Sequence, residues 1–154
     1  MKIVEMKAEG KNAHIPERTK DHDQITKELK DLVGEEFVAD DIATAFVYSR
    51  TMCEFDQYLP EFIVAPKTTE EVSGTLKIAN KYKVPVQCQV RGLNMGDVHM
   101  PLTGGILVDL RRMNKILEVN EESGHAQLRW RDPNVADGFA QPPRLKLPIV
   151  HSIP

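Results

Sequence analysis

A glycine-rich stretch, VRGLNMGDVHMPLTGGILVDL at residues 90–110, holds the residues best suited to chemistry in this chain. Glycine permits a positive φ and lets backbone N–H groups approach a phosphate, and successive N–H groups can form a concave anion-binding site. Such a site needs no helix dipole. The stretch therefore predicts a loop that binds an anionic ligand, and the apolar run GGILVDL after it predicts a strand that supports the loop.

Two helices are predicted to position this loop. The first begins at Asp23, a suitable N-cap, and ends at Gly34, a common C-terminal signal. Its apolar residues recur at helical intervals, at Ile25, Leu29, Leu32 and Val33. The second begins after Thr68 or Thr69 and ends before Pro85. Its predicted inner face consists of Val72, Leu76, Ile78 and Ala79.

Strand patterns alternate with these helices along the chain. Residues 62–65 form a buried apolar run between two prolines, and residues 84–90 alternate with period two. Two further strands, around residues 116–119 and 125–130, flank an ESG turn and predict a hairpin. Residues 41–60 read as irregular with one helical turn. The order predicts the α+β class, a small mixed β-sheet flanked by helices.

Bulk properties exclude several functional classes. The 154 residues are 41% hydrophobic and 28% charged with a formal net charge of -3, which suits one globular domain. Basic residues are interspersed with acidic ones, so no nucleic-acid partner is expected. No apolar run could span a bilayer and the N-terminus lacks a signal-peptide core, so we expect a cytoplasmic protein. Cys53 and Cys88 are expected to be buried, reduced thiols.

The segments PEFIVAPKTTEEVSGTLKIANKYKVPV and PLTGGILVDLRRMNKILEVNEES, joined by the Arg-Gly loop, carry a resemblance to a known family. They resemble the first half of the FAD-binding domain of the vanillyl-alcohol oxidase / p-cresol methylhydroxylase (PCMH) superfamily. Within it, the FAD-linked glycolate and D-lactate dehydrogenases are the most similar group. The likeness covers residues 29–128 and implies FAD as the cofactor.

The resemblance assigns the cofactor-binding residues. In the family, a loop of the form Pro-Arg-Gly-x-Gly-Thr-x-x-x-Gly wraps the FAD pyrophosphate with its backbone amides. The corresponding FAD-binding residues here are Arg91, Gly92, Leu93, Asn94, Met95, Gly96, Gly104 and Gly105. Asp109, Met113 and Asn114 are expected to belong to the framework, with Asp109 satisfying backbone groups of a loop or turn.

The chain departs from the family pattern in ways that bear on function. RGLNMG lacks the Gly-Thr pair, which makes the loop shorter, and Asn134 stands where a later turn usually has glycine. The family's second FAD-binding subdomain, substrate-binding cap and catalytic residues lie downstream of the matched region. We therefore expect a flexible arm at residues 1–22, the N-terminal lobe at 23–130, and a proline-rich tail at 131–154 that starts a truncated second lobe.

Two functions follow from the resemblance. The first is the FAD-binding lobe of an FAD-linked oxidoreductase of the 2-hydroxy-acid dehydrogenase or oxidase type, which is not catalytic alone and is completed by further chain or a partner subunit. Whether FAD is retained in full or bound incompletely stays open. The alternative is a degenerate, non-catalytic flavin-fold domain that serves as a protein-interaction module. Either form is expected to expose an apolar face that recruits a second lobe or a partner, or that self-associates.

Other residues with chemical potential are expected to be structural. His99 lies in the glycine-rich loop, but a hydrogen-bonded surface histidine is the more common case. His125 and His151 have no ligand partners at suitable spacing, so no metal site is predicted. Trp130 between two arginines is expected to end a half-buried strand rather than to stack on bases. Tyr48-Ser49-Arg50 matches a YSR segment of the resembled dehydrogenases and is expected to pack.

Overall fold

The computed structural model describes residues 4–8, 11–50, 56–90, 100–120 and 125–128. They fall into two compact units, one within residues 1–112 and one within residues 113–154. The helices are α1 (His22–Val33), α2 (Ile42–Tyr48) and α3 (Thr69–Tyr82). The strands are β1 (Val4–Ala8), β2 (Lys11–Ile15), β3 (Val38–Ala39), β4 (Gln57–Tyr58), β5 (Phe62–Val64), β6 (Val86–Gln89), β7 (Ile106–Asp109), β8 (Ile116–Asn120) and β9 (His125–Leu128).

The central sheet of the first unit has four strands in the order β3-β5-β7-β6. Strand β7 pairs in parallel with β5 and with β6, whereas β3 pairs antiparallel with β5. A separate sheet has the order β1-β2-β4, and β8 pairs with β9 as the predicted antiparallel hairpin in the second unit. This mixture of small sheets and helices confirms the predicted fold class.

The central sheet is covered on both faces, because alternate residues of each strand point to opposite sides. On one face, Phe62, Val64, Ile106 and Val108 pack with residues of α1 and α3, among them Ile25, Leu29 and Ala79. On the other face, Ile63 and Leu107 pack with Ala13, Ala45 and Leu59. Burial of each large apolar side chain contributes about 1.5–3 kcal/mol, so these two clusters are the main source of stability.

Helix α1 begins and ends close to the predicted residues. Asp21 occupies the N-cap position, so Asp23 lies in the first turn, where a negative charge also interacts well with the helix dipole. Gly34 ends the helix with a φ of 98°, a conformation that other residues rarely adopt. Ile25, Leu29 and Val33 are buried as the periodicity predicts.

Helix α3 confirms the predicted boundaries but not all of its predicted inner face. The Thr68 hydroxyl accepts a hydrogen bond from the Glu71 N–H at 3.2 Å, which identifies Thr68 as the cap. Thr75 and Ala79 are the buried residues, and Leu76 is 49% exposed. Thr75 can face the core because its hydroxyl donates to the Glu71 carbonyl at 2.9 Å, which leaves no polar group unsatisfied.

Two segments have more regular structure than the sequence predicts. Helix α2 runs for seven residues where one turn was expected, and the Asp41 carboxylate caps it by accepting from the Thr44 N–H at 2.8 Å. Residues 1–22, expected as an arm, contain β1 and β2, and β2 pairs in parallel with β4. The sequence does not predict β2, because this strand is polar and is defined by its backbone pairing with β1 and β4 rather than by an apolar pattern. No helix among the described residues is long and apolar enough to cross a membrane.

Candidate functional site

The carboxyl ends of three parallel strands meet at one edge of the central sheet, formed by Val64, Gln89 and Asp109. Gln89 pairs with Asp109 across β6 and β7, and the glycine-rich loop begins two residues later. In open α/β sheets, ligands bind outside the carboxyl ends of the strands. This edge, which we call the carboxyl edge, is therefore the candidate site.

Asp109 is the centre of a polar cluster at the carboxyl edge. Its side chain is 3% exposed. It accepts a hydrogen bond from the Tyr48 hydroxyl at 2.7 Å and from the Arg111 backbone N–H at 3.0 Å. The Arg111 Nε atom lies 2.8 Å from Asp109 Oδ2 and 3.0 Å from Oδ1. The bond to a backbone N–H is the framework role predicted for Asp109, and the bonds to Tyr48 and Arg111 extend it.

The pKa values of Tyr48 and Arg111 are both shifted in this cluster. Burial, followed by the hydrogen bond to Asp109, raises the pKa of Tyr48 above its ordinary value, so the phenol stays neutral. The hydrogen bonds to Asp109 raise the pKa of Arg111 above its ordinary value. The guanidinium therefore remains charged at every physiological pH and half of its side chain stays in contact with solvent, at 54% exposure.

A second arginine lies at the same edge in a different environment. The Arg112 guanidinium stacks over the Phe37 ring, 3.2 Å from the ring centroid, and donates to the Ala65 carbonyl at the end of β5. Arg112 therefore packs against Phe37 and the end of β5. Arg111 and Arg112 thus place two guanidinium groups at this edge beside the buried Asp109 carboxylate. A guanidinium group suits the negative diphosphate of FAD.

Gly104 and Gly105 lie at the other end of β7, before its first residue. Their φ values are 71° and 88°, and a Cβ on Gly105 would lie 2.3 Å from the Pro85 carbonyl oxygen. The Gly105 carbonyl accepts from the N–H groups of Glu61 and Phe62 at 2.9 and 3.0 Å. Gly104 and Gly105 thus have a packing role at the amino ends of β5 and β7. The spacing of glycines in the sequence does not reveal this role.

A buried polar cluster occupies that amino end. The His22 ring lies between Glu61, 2.8 Å from Nδ1, and Asp40, 3.1 Å from Nε2. Glu61 also accepts from the N–H and the hydroxyl of Thr19 at 2.6 and 2.7 Å. At this end, two carboxylates therefore hold the His22 ring from both of its nitrogen atoms.

Most of the predicted cofactor-binding residues lie outside the described residues. These are Arg91, Gly92, Leu93, Asn94, Met95 and Gly96, and His99 of the same loop also lies there. Their contact with FAD stays a prediction. Within the described residues, no group of three or more histidine, cysteine or acidic side chains could hold a metal ion.

Comparison with known proteins identifies the class of domain. Residues 60–129 match a family model described as an FAD binding domain. Glycolate oxidase subunit GlcD of Bacillus subtilis (strain 168) is 33% identical over 103 residues, which is 64% of this chain and 22% of the relative. The family-model match begins just before β5 and includes the glycine-rich loop, β7 and the β8–β9 hairpin.

Solved structures show the same relationship. The 4-ethylphenol oxidase from Gulosibacter chungangensis, in complex with isoeugenol, matches with a TM-score of 0.66 and 30% identity over 79% of this chain and 25% of the oxidase. p-Cresol methylhydroxylase with substrate bound matches with a TM-score of 0.65 and 25% identity, over 74% of this chain and 23% of the enzyme.

The fold and the comparisons together identify an FAD-binding domain similar to those of FAD-linked oxidoreductases. More specifically, the chain carries the N-terminal part of a PCMH-type FAD-binding domain, which confirms the resemblance seen in the sequence. The alternative of a degenerate interaction module is not favoured. The chain spans less than a third of the length of these relatives, 22% of the glycolate oxidase subunit and 25% of the 4-ethylphenol oxidase.

Proposed function

We propose that this chain supplies the diphosphate-binding lobe of an FAD-linked oxidoreductase that acts on a 2-hydroxy acid. The match of residues 60–129 to the FAD binding domain family is the observation that carries the proposal. The similarity to a glycolate oxidase subunit supports a 2-hydroxy acid as the substrate class. Bound FAD would supply the two-electron acceptor for the oxidation.

The proposed diphosphate cradle consists of the loop residues 91–96, supported by β7, which Gly104 and Gly105 precede. Backbone N–H groups of a glycine-rich loop can surround a diphosphate without competition from side chains. The carboxyl edge lies where this loop begins, and the half-exposed Arg111 guanidinium there favours the same ligand. Gly104 and Gly105 contribute indirectly, because their close packing fixes the start of β7.

Substrate oxidation is proposed to need more polypeptide than this chain contains. The chain spans only 22% of the glycolate oxidase subunit, so groups that enclose the flavin and bind the substrate are expected from a second lobe or a partner subunit. We place the assembled protein in the cytoplasm. The isolated chain is expected to bind FAD and to leave a 2-hydroxy acid unoxidised.

A titration of the purified chain tests this function. FAD should bind with a change in flavin absorbance, and ADP should compete because it carries the same diphosphate. Riboflavin, which has no phosphate, serves as the matched control and should bind much more weakly. A Gly92→Val substitution in the loop should weaken FAD and ADP binding together. A chain that binds neither FAD nor ADP would refute the proposed function.

A further inference from the structure

We propose that Arg111 is a direct contact for the diphosphate of FAD, and that Asp109 and Tyr48 are positioning residues that hold its guanidinium at the carboxyl edge. The inference rests on the proposed FAD-binding function and adds a residue outside the glycine-rich loop. It is carried by the geometry of the Tyr48–Asp109–Arg111 cluster, which lies entirely within the described residues.

The first step is the orientation of the guanidinium. Arg111 uses Nε and Nη2 to donate to Asp109, and Nη2 also donates to the Tyr48 hydroxyl. The Tyr48 ring lies beside the guanidinium, 5.5 Å from ring centroid to Cζ. These contacts fix the plane of a side chain that otherwise loses much rotamer entropy when it binds a ligand.

The second step concerns the donors that remain. A guanidinium has five N–H donors, and the hydrogen bonds from Arg111 to the described residues use none of those on Nη1. The side chain is 54% exposed although its partner Asp109 is almost fully buried. Charged N–H groups on a fixed and half-exposed side chain suit a phosphate oxygen.

The third step is location. Asp109 pairs directly with Gln89, and the loop that resembles the FAD pyrophosphate loop begins at Arg91. The Gln89 side chain is also buried, at 9% exposure, so the strand end next to Arg111 is well fixed. Arg112 is the contrasting case, because it stacks on Phe37 and donates to a carbonyl. Of these two arginines, Arg111 is the exposed one, whereas Arg112 is half-buried.

The test compares ADP and FAD binding to the full chain with binding to Arg111→Gln and Arg111→Lys. Arg111→Gln should weaken ADP and FAD by about tenfold, the loss typical of one charge-assisted hydrogen bond, and should reduce the salt dependence of binding. Arg111→Lys keeps the charge but lacks the planar set of N–H donors of a guanidinium, so it should lose a smaller part of the affinity. Lys77→Gln is the matched control, because it removes the same charge from an exposed position on α3.

Circular dichroism and the urea midpoint establish that each variant folds. If Arg111→Gln folds and binds ADP as tightly as the parent chain, the inference is wrong while the proposed function stands. If Arg111→Gln does not fold, unchanged ADP affinity in Arg111→Lys leads to the same conclusion. A parent chain that binds neither nucleotide overturns the proposed function and this inference with it.

Discussion

Asp109 keeps a carboxylate almost wholly away from water, which is costly unless hydrogen bonds and an opposite charge replace the lost hydration. Tyr48 and Arg111 supply both, and each comes from a different segment of the chain. The cluster therefore ties the end of α2 to the end of β7. At the scale of single residues, this contact is the most specific feature of the carboxyl edge.

Asp109→Asn should lower the pKa of Tyr48 without returning it to the ordinary value. The hydrogen bond and negative charge of Asp109 raise this pKa, but burial is the larger cause and persists in the variant. Because the pKa of Tyr48 is higher in the folded protein than its ordinary value of 10.0, the free energy of unfolding should fall as pH rises above 10.0 towards the folded value. Phenolate absorbance measures the titration, with Tyr48→Phe to isolate the Tyr48 signal. An unchanged or higher Tyr48 pKa in Asp109→Asn contradicts the assignment.

Gly105→Ala should destabilise the protein by at least about 2 kcal/mol, because the new Cβ combines a positive φ with a backbone clash. It would lie 2.3 Å from the Pro85 carbonyl oxygen, which cannot move without disturbing its hydrogen bond to Ile106. Gly74→Ala is the control, since the atoms nearest to its Cβ would be those of the Leu32 side chain rather than backbone atoms. The free energy of unfolding in urea measures both. Equal effects would show that Gly105 is not constrained by packing.

Helices α1 and α3 are joined at their solvent side by Glu28. Its carboxylate accepts from Lys81 Nζ and from the Tyr82 hydroxyl, both at 2.7 Å. A third bond comes from Gln24 within α1 at 3.1 Å. The two helices thus cover one face of the sheet as a connected pair. Their apolar residues face the sheet, and Glu28 with its partners Gln24, Lys81 and Tyr82, which we call the Glu28 clasp, joins them on the solvent side.

The Glu28 clasp should make stability depend on pH in acid. Hydrogen bonds from Lys81, Tyr82 and Gln24 lower the pKa of Glu28 from 4.5 to about 2. A depressed pKa contributes stability that is present above 4.5 and is lost as pH falls towards 2. Glu28→Gln should flatten the dependence of the free energy of unfolding on pH within this window. Parallel pH profiles for the two proteins would exclude the clasp.

Elements with a strong local signal are the ones that the sequence predicts well. The apolar spacing of α1, the Thr68 cap of α3 and the apolar run of β7 each fix an element from nearby residues. Strand β2 and the length of α2 escape prediction because they depend on partners distant in the chain. The glycine-rich loop is predicted from composition alone, whereas composition does not single out Arg111, because its contact with Tyr48 joins residues that are 63 positions apart.

At the scale of the whole molecule, the chain combines a doubly covered sheet with apolar side chains that no described element covers. Val47 and Ile42 on α2 are 64% and 56% exposed, and Leu102 is 59% exposed. Scattered exposed apolar residues are normal on a surface, but two on one short helix favour contact with another protein surface. The relatives are about four times longer, so further polypeptide is a natural partner for α2.

Val47→Lys should therefore reduce self-association of the isolated chain, because a charge at the centre of an apolar contact would have to be desolvated. Light scattering over a range of concentrations measures the association, and the exposed position of Val47 means that folding should be unaffected. Leu76→Lys introduces the same charge on α3, where Leu76 is 49% exposed, and should have a smaller effect. A parent chain that stays monomeric at every concentration would show that α2 is not used for contact between copies, whereas equal effects of the two substitutions would place the contact elsewhere.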